Sequence, residues 1–235
     1  MSDNNLPPIH DAVRLWQGNE AATLRECVAS RKRRLPGWTL SWLRESAANV
    51  LSGELKSSAL RQAVRTHVPL VAQRSVLKGL ELLLEFIQKH KWQGTELAAR
   101  EIACDDLTVV LRPIGKYYSA LLQKEYLLAI QPRLEDVPTD EQFRIWHSAL
   151  HYEFCRGELG HLEVMIVDLS KNEISEKREL RELTSKKLPL LLPEETTQRL
   201  DLIGSCYQKA IELVPHLPER ARTTKHSVQR ELFRF

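Results

Sequence analysis

Val164 to Val167 is a short apolar run, mostly β-branched and with no polar face. A run of that length and composition predicts a strand buried on both sides rather than a helix. Upstream, Tyr117–Leu122 and Tyr126–Ile130 are two apolar runs around Gln123-Lys124-Glu125, the pattern of a hairpin. Between hairpin and buried strand, Thr139-Asp-Glu-Gln opens a helix that runs to about Arg156 and stops at Gly157, its acidic groups near the positive end of the dipole. A hairpin, a helix and a further strand together make an α+β core. The stretch Tyr117–Ser170 therefore predicts an α+β protein, with a helical N-terminal half and a mixed β-sheet core with flanking helices.

The flanking segments follow from local signals. Pro7-Pro8 opens a first helix over Ile9–Gln17, Gly18-Asn19 breaks it, and Glu20–Arg34 forms a second. Trp38–Ser52 and Leu55–His67 read as further helices, and Val71–His90, apolar on most sides, as the central helix of this half. Glu96–Cys104 is open between helix and strand, and Leu107–Arg112 begins the strand-rich part. Arg178–Thr184 reads as an edge strand and Glu194–Val214 as a last amphipathic helix. The expected organisation is a basic helical region over 1–95, an α+β core with its final helix over 96–214, and a basic tail over 215–235.

Charge is uneven. Residues 1–100 hold 15 Lys and Arg against 9 Asp and Glu, a surplus of +6, and the remaining 19 against 22 give −3. A basic helical half can meet phosphates. Arg31, Lys32, Arg33 and Arg34, with Arg61 and Arg65 one turn apart, are the candidate nucleic-acid contacts. The Arg31–Arg34 cluster at a helix C-terminus also complements the helix dipole, and both readings stay open. The four cysteines, Cys27, Cys104, Cys155 and Cys206, lie more than fifty residues from one another without a C-x-x-C pair, as expected of buried reduced thiols. No apolar run reaches the length of a membrane span and the N-terminus lacks an export pattern, so a cytoplasmic location is expected.

Complete catalytic motifs are absent: there is no Gly-x-x-x-x-Gly-Lys, Gly-x-Gly-x-x-Gly or Gly-x-Ser-x-Gly. His147 and His151 are four apart and would share a helix side, as metal ligands do. The zincin pattern needs Glu after the first His, however, and Ser148 stands there. His147 also falls among Phe143, Trp146, Leu150 and Phe154 on a helical wheel, so it reads as a core histidine and no metal site is expected there.

The order of elements over about Glu96 to Ser170, a leading segment, three strands, a helix and a further buried strand, resembles the PD-(D/E)XK nuclease-like fold. That resemblance implies an acid-x-Lys pair after the third strand, which holds a divalent metal and the attacking water. Here the place reads Gln131-Pro132-Arg133. It also implies an Asp on the second strand, and Tyr117–Leu122 has none. The Gln-x-x-x-Tyr of RecB-like members is matched loosely by Gln142 and Trp146. A neutral Gln cannot replace a carboxylate on hard Mg²⁺, and Arg cannot take up a proton as Lys can. The expectation is a non-catalytic nucleic-acid-associated or interaction module without cofactor. The alternatives are an active Mg²⁺-dependent nuclease with migrated acids (Glu141, Glu153, Asp168), or a protein adaptor without nucleic-acid affinity.

The chain finishes Val228-Gln-Arg-Glu-Leu-Phe-Arg-Phe235 after a polar basic stretch. Gln229, Leu232 and Phe233 resemble the short motif by which bacterial replication and repair proteins bind the sliding clamp, which makes that clamp a candidate partner. The other reading is that Leu232 and Phe233 fold back on the protein's own core.

Overall fold

The computed structural model describes residues 6–32, 47–51, 57–68, 70–131, 137–170 and 178–214. It is an α+β protein. Helix α1 (Ile9–Ala12) continues into a 3-10 turn and is followed by α2 (Glu20–Lys32). Residues 47–51 are helical (α3). Next come α4 (Ser57–His67), α5 (Leu70–His90) and strands β1 (Gln93–Glu96), β2 (Arg100–Cys104), β3 (Leu107–Leu111), β4 (Gly115–Ser119) and β5 (Lys124–Gln131). Helix α6 (Asp140–Phe154), β6 (Glu163–Asp168), β7 (Arg181–Leu183) and α7 (Pro193–Leu213) complete the order.

The main sheet has the order β1-β4-β5-β6-β7. Strands β4 and β5 form the expected hairpin, β5 and β6 are parallel with α6 as the connection between them, and β1 and β7 are antiparallel edges. Two features differ from the sequence expectation. Five strands rather than three precede α6, because β2 and β3 pair with each other as a separate two-stranded sheet. The first of the five, β1, reads Gln-Gly-Thr-Glu and is exposed along its whole length. It carries no apolar alternation to read, and is a strand because the edge of β4 offers its backbone partners.

The sheet is covered on both faces, which explains why β5 and β6 are continuously apolar. Leu127, Ala129, Val164 and Ile166 point into a core shared with α1, α6, α7 and the β2–β3 hairpin. Tyr126, Leu128, Ile130, Met165 and Val167 point into a second core with Leu83 and Phe86 of α5 and Ala47 and Leu51 of α3. A third, smaller cluster joins Leu60 and Val64 of α4 to Val76, Leu80 and Leu84 of α5. The N-terminal helices thus build directly on the sheet, and the boundary expected at residue 95 falls inside β1.

Local chemistry accounts for the start of α6 and the seat of α7. Thr139 Oγ1 accepts from the Gln142 backbone N–H at 3.3 Å while Gln142 Oε1 accepts from the Thr139 N–H at 2.9 Å, a reciprocal capping box. Gly204 lets α7 press on the β2–β3 hairpin: a Cβ there would lie 2.2 Å from the Cys104 carbonyl oxygen. Cys27, Cys104 and Cys206 are buried free thiols, and burial pushes the first two up to about 12. No helix among the described residues is long and apolar enough to cross a membrane.

Candidate nucleic-acid interface

Strands β5 and β6 run in parallel and end together, with Gln131 paired in register to Asp168. Both residues are buried. Asp168 is fully enclosed, and its carboxylate oxygens are taken by donors. Oδ1 accepts the Ser170 backbone N–H at 3.0 Å; Oδ2 accepts the Ser170 hydroxyl at 2.9 Å and Arg181 Nε–H at 2.8 Å. Arg181 Nη2 also bonds Oδ2. The short edge strand β7 delivers Arg181, since its register sets Asp168 opposite Arg181. Arg178 lies close by. Burial pushes its guanidinium down to about 10, partly offset by the Asp168 charge, and its Nη2 donates to Ser75 Oγ of α5 at 3.1 Å. These strand ends are therefore a knot of two arginines around one carboxylate, tied to the first half of α5.

A divalent cation needs carboxylate oxygens with free lone pairs. Here the buried carboxylate already carries an arginine, and its register partner is a neutral amide. Among the described residues, no three His, Cys, Asp or Glu side chains group as metal ligands. Arg133 lies outside the described residues. The two α6 positions singled out in the sequence, Gln142 and Trp146, are buried. Gln142 donates through Nε2 to the carbonyls of Trp16 at 2.6 Å and Arg14 at 3.2 Å, and Trp146 is buried beside Phe143 with ring centroids 6.2 Å apart. Gln142 ties α6 to the segment after α1, and Trp146 packs against His10 of α1 with ring centroids 6.0 Å apart.

The candidate phosphate contacts divide. Arg31 is 7% exposed; its Nη2 donates to the Val214 carbonyl at the end of α7 at 3.2 Å, and its guanidinium lies 5.6 Å from the Tyr207 ring centroid. Its charge is used inside the fold, where it completes a helix C-terminus. Lys32 is exposed at the end of α2, and Arg33 and Arg34 lie outside the described residues. Arg61 and Arg65 are exposed on α4. Gln229, Leu232 and Phe233 lie outside the described residues.

Two buried histidines, His147 and His90, are structural in setting. His147 is buried with Nε2 3.2 Å from the Val164 carbonyl, and burial pushes its pKa down to about 4. His90 bridges three elements: Nδ1 lies 2.9 Å from Ser119 Oγ and Nε2 3.1 Å from Glu182 Oε1, with its ring stacked on Trp92. The hydroxyl, imidazole and carboxylate are in hydrogen-bonded series, yet Ser119 is fully buried and its oxygen also accepts the Leu122 N–H at 3.1 Å. That arrangement clamps α5, the β4–β5 turn and β7, and gives no substrate access to the hydroxyl.

Sequence reasoning missed Arg178, Arg181 and Ser170 at the strand ends. Nothing in Arg178-Glu-Leu-Arg-Glu182 distinguishes Arg181 from its neighbours, because its role depends on the β6–β7 register.

The sequence matches no protein-family model and none of the curated proteins. A solved chain described as the crystal structure of SSO0001 is similar at 12% identity and a TM-score of 0.33, over 92% of this chain and 96% of that one. A score that low carries no argument about fold or function.

Proposed function

We propose that this protein is a non-catalytic nucleic-acid-associated module, built on a nuclease-like core that lacks the metal site. The observation that carries the reading is the ends of β5 and β6, where the neutral Gln131 lies in register with Asp168, and Asp168 is ion-paired with Arg181 and bonded by Ser170. Both carboxylate oxygens already accept hydrogen bonds, Oδ1 from the Ser170 N–H and Oδ2 from the Ser170 hydroxyl and the Arg181 guanidinium. The order of an antiparallel three-strand unit, α6 and a parallel strand supports the same reading. The alternative with migrated acids gains little from the geometry. Glu141 and Glu153 sit at opposite ends of α6, about 18 Å apart at 1.5 Å per residue, and each is paired, with Arg199 and with Arg100 and Arg156.

Incubating the purified protein with labelled DNA and RNA in Mg²⁺ or Mn²⁺ tests the proposal. Intact substrate, with binding retained at low salt, is expected. Metal-dependent cleavage lost in Asp168→Ala or Glu141→Ala would overturn it. A protein-interaction role is favoured by one observation, the exposed apolar side chains Tyr118, Leu121 and Leu122 grouped at the β4–β5 turn.

A further inference from the structure

From Leu55 to Leu80 the chain carries Lys56, Arg61, Arg65, Arg74 and Lys78 and not one carboxylate. Residues from 57 onward in this stretch are α4 and the first half of α5. The apolar side of this helical pair is spent internally, since Leu60 and Val64 pack on Val76, Leu80 and Leu84. Its bend is held by Gln73, whose Nε2 donates to the carbonyls of Arg65 at 3.0 Å and Val68 at 2.8 Å. Arg61, Arg65 and Arg74 are exposed, and none of them makes an ion pair among the described residues. Lys78 is instead 3.8 Å from Glu81. Arg61 and Arg65 are four residues apart, so they share a side of α4 about 6 Å apart along its axis.

We infer that Arg61, Arg65 and Arg74 form a phosphate-contacting surface for duplex DNA, with α4 as the docking element. This rests on the nucleic-acid reading above and moves its contact surface from the α2 cluster, where Arg31 is buried, to the α4–α5 pair. Charge complementarity identifies the partner as a polyanion: three exposed guanidiniums without an ion pair among the described residues. Single strands are held by base stacking on aromatic side chains, and there is no Phe, Trp or Tyr from Leu55 to Glu85. The wide major groove of B-DNA admits an exposed helix, with its arginines reaching the flanking phosphates, whereas the major groove of duplex RNA is deep and narrow. With phosphate contacts alone, binding has little sequence preference.

The test measures binding of the full chain to a labelled mixed-sequence DNA duplex by anisotropy across a salt series. Three phosphate contacts predict a log–log salt slope of about −2.7, hence roughly a 40-fold loss of affinity between 50 and 200 mM salt. Arg61→Gln/Arg65→Gln/Arg74→Gln should flatten that slope to less than half and weaken low-salt binding about tenfold or more, with an unchanged thermal melt. If Lys32, Arg33 and Arg34 replaced by Gln flatten the slope and the α4–α5 variant does not, the surface is overturned while the association reading stands. Tighter binding of single strands, or equal binding of duplex RNA, overturns the assignment to duplex DNA. Absence of binding to any nucleic acid at low salt overturns both this inference and the reading beneath it.

Discussion

Gln142 Nε2 donates to the main-chain carbonyl of Trp16 across 2.6 Å, so a helix-capping side chain also fastens α6 to the segment after α1. The same amide group bonds the Arg14 carbonyl, and its oxygen closes the capping box with Thr139. Four hydrogen bonds pass through one buried residue when its backbone N–H to Thr139 is counted. Gln142→Ala keeps that last bond as far as the backbone allows, and leaves two carbonyls and the Thr139 N–H without the amide. A loss of about 2–3 kcal/mol is expected, read by urea denaturation. A loss below half a kcal/mol would mean that solvent replaces these bonds.

Arg181 should matter more to stability than its half-exposed position implies, because Asp168 beneath it is fully enclosed. Arg181→Met leaves the carboxylate with the Ser170 donors and the more distant Arg178, and should cost about 2–3 kcal/mol. Adding Asp168→Asn removes the stranded charge and should recover part of that loss. Equal stability of wild type and Arg181→Met in chemical denaturation would show that the pair is not what holds Asp168.

His147 makes stability depend on pH with a definite sign. An exposed imidazole in the unfolded chain takes up its proton near pH 6.5, whereas in the fold burial delays uptake to about 4. Between these values the unfolded state binds more protons, so stability falls as pH falls. The contribution is fully present above about pH 6.5, lost as pH falls through 4, and amounts to about 3 kcal/mol. Denaturation of the wild type and His147→Gln across this window provides the check. The difference between the two should change with pH, and a constant difference would contradict the assignment.

Gly204 marks the tightest approach of α7 to the β2–β3 hairpin. A Cβ at this position would meet the Cys104 carbonyl oxygen at 2.2 Å and its carbon at 2.9 Å, both backbone atoms that cannot swing away. Gly204→Ala gains about 1 kcal/mol of helix propensity but must push the helix off the hairpin. A net loss of about 2 kcal/mol is expected in thermal or urea unfolding, and a stabilised variant would show that the contact is looser than this.

Much of the architecture could be read from local pattern. Val164–Val167 declared a doubly covered strand, Thr139 with Gln142 announced the start of α6, and the runs around Gln123-Lys124-Glu125 marked the hairpin, because period, capping chemistry and turn residues act over a few neighbours. His147 as a core residue followed from the same helical spacing. Tertiary structure alone decided that polar Gln93–Glu96 is a strand, that Arg100–Leu111 leaves the main sheet, that Arg31 is buried on Val214, and that Arg181 lies over Asp168. Each of these depends on partners far away in the chain: an open strand edge, a pairing register, a helix end without a donor. A side chain's own sequence neighbourhood carries no record of which distant backbone will need it.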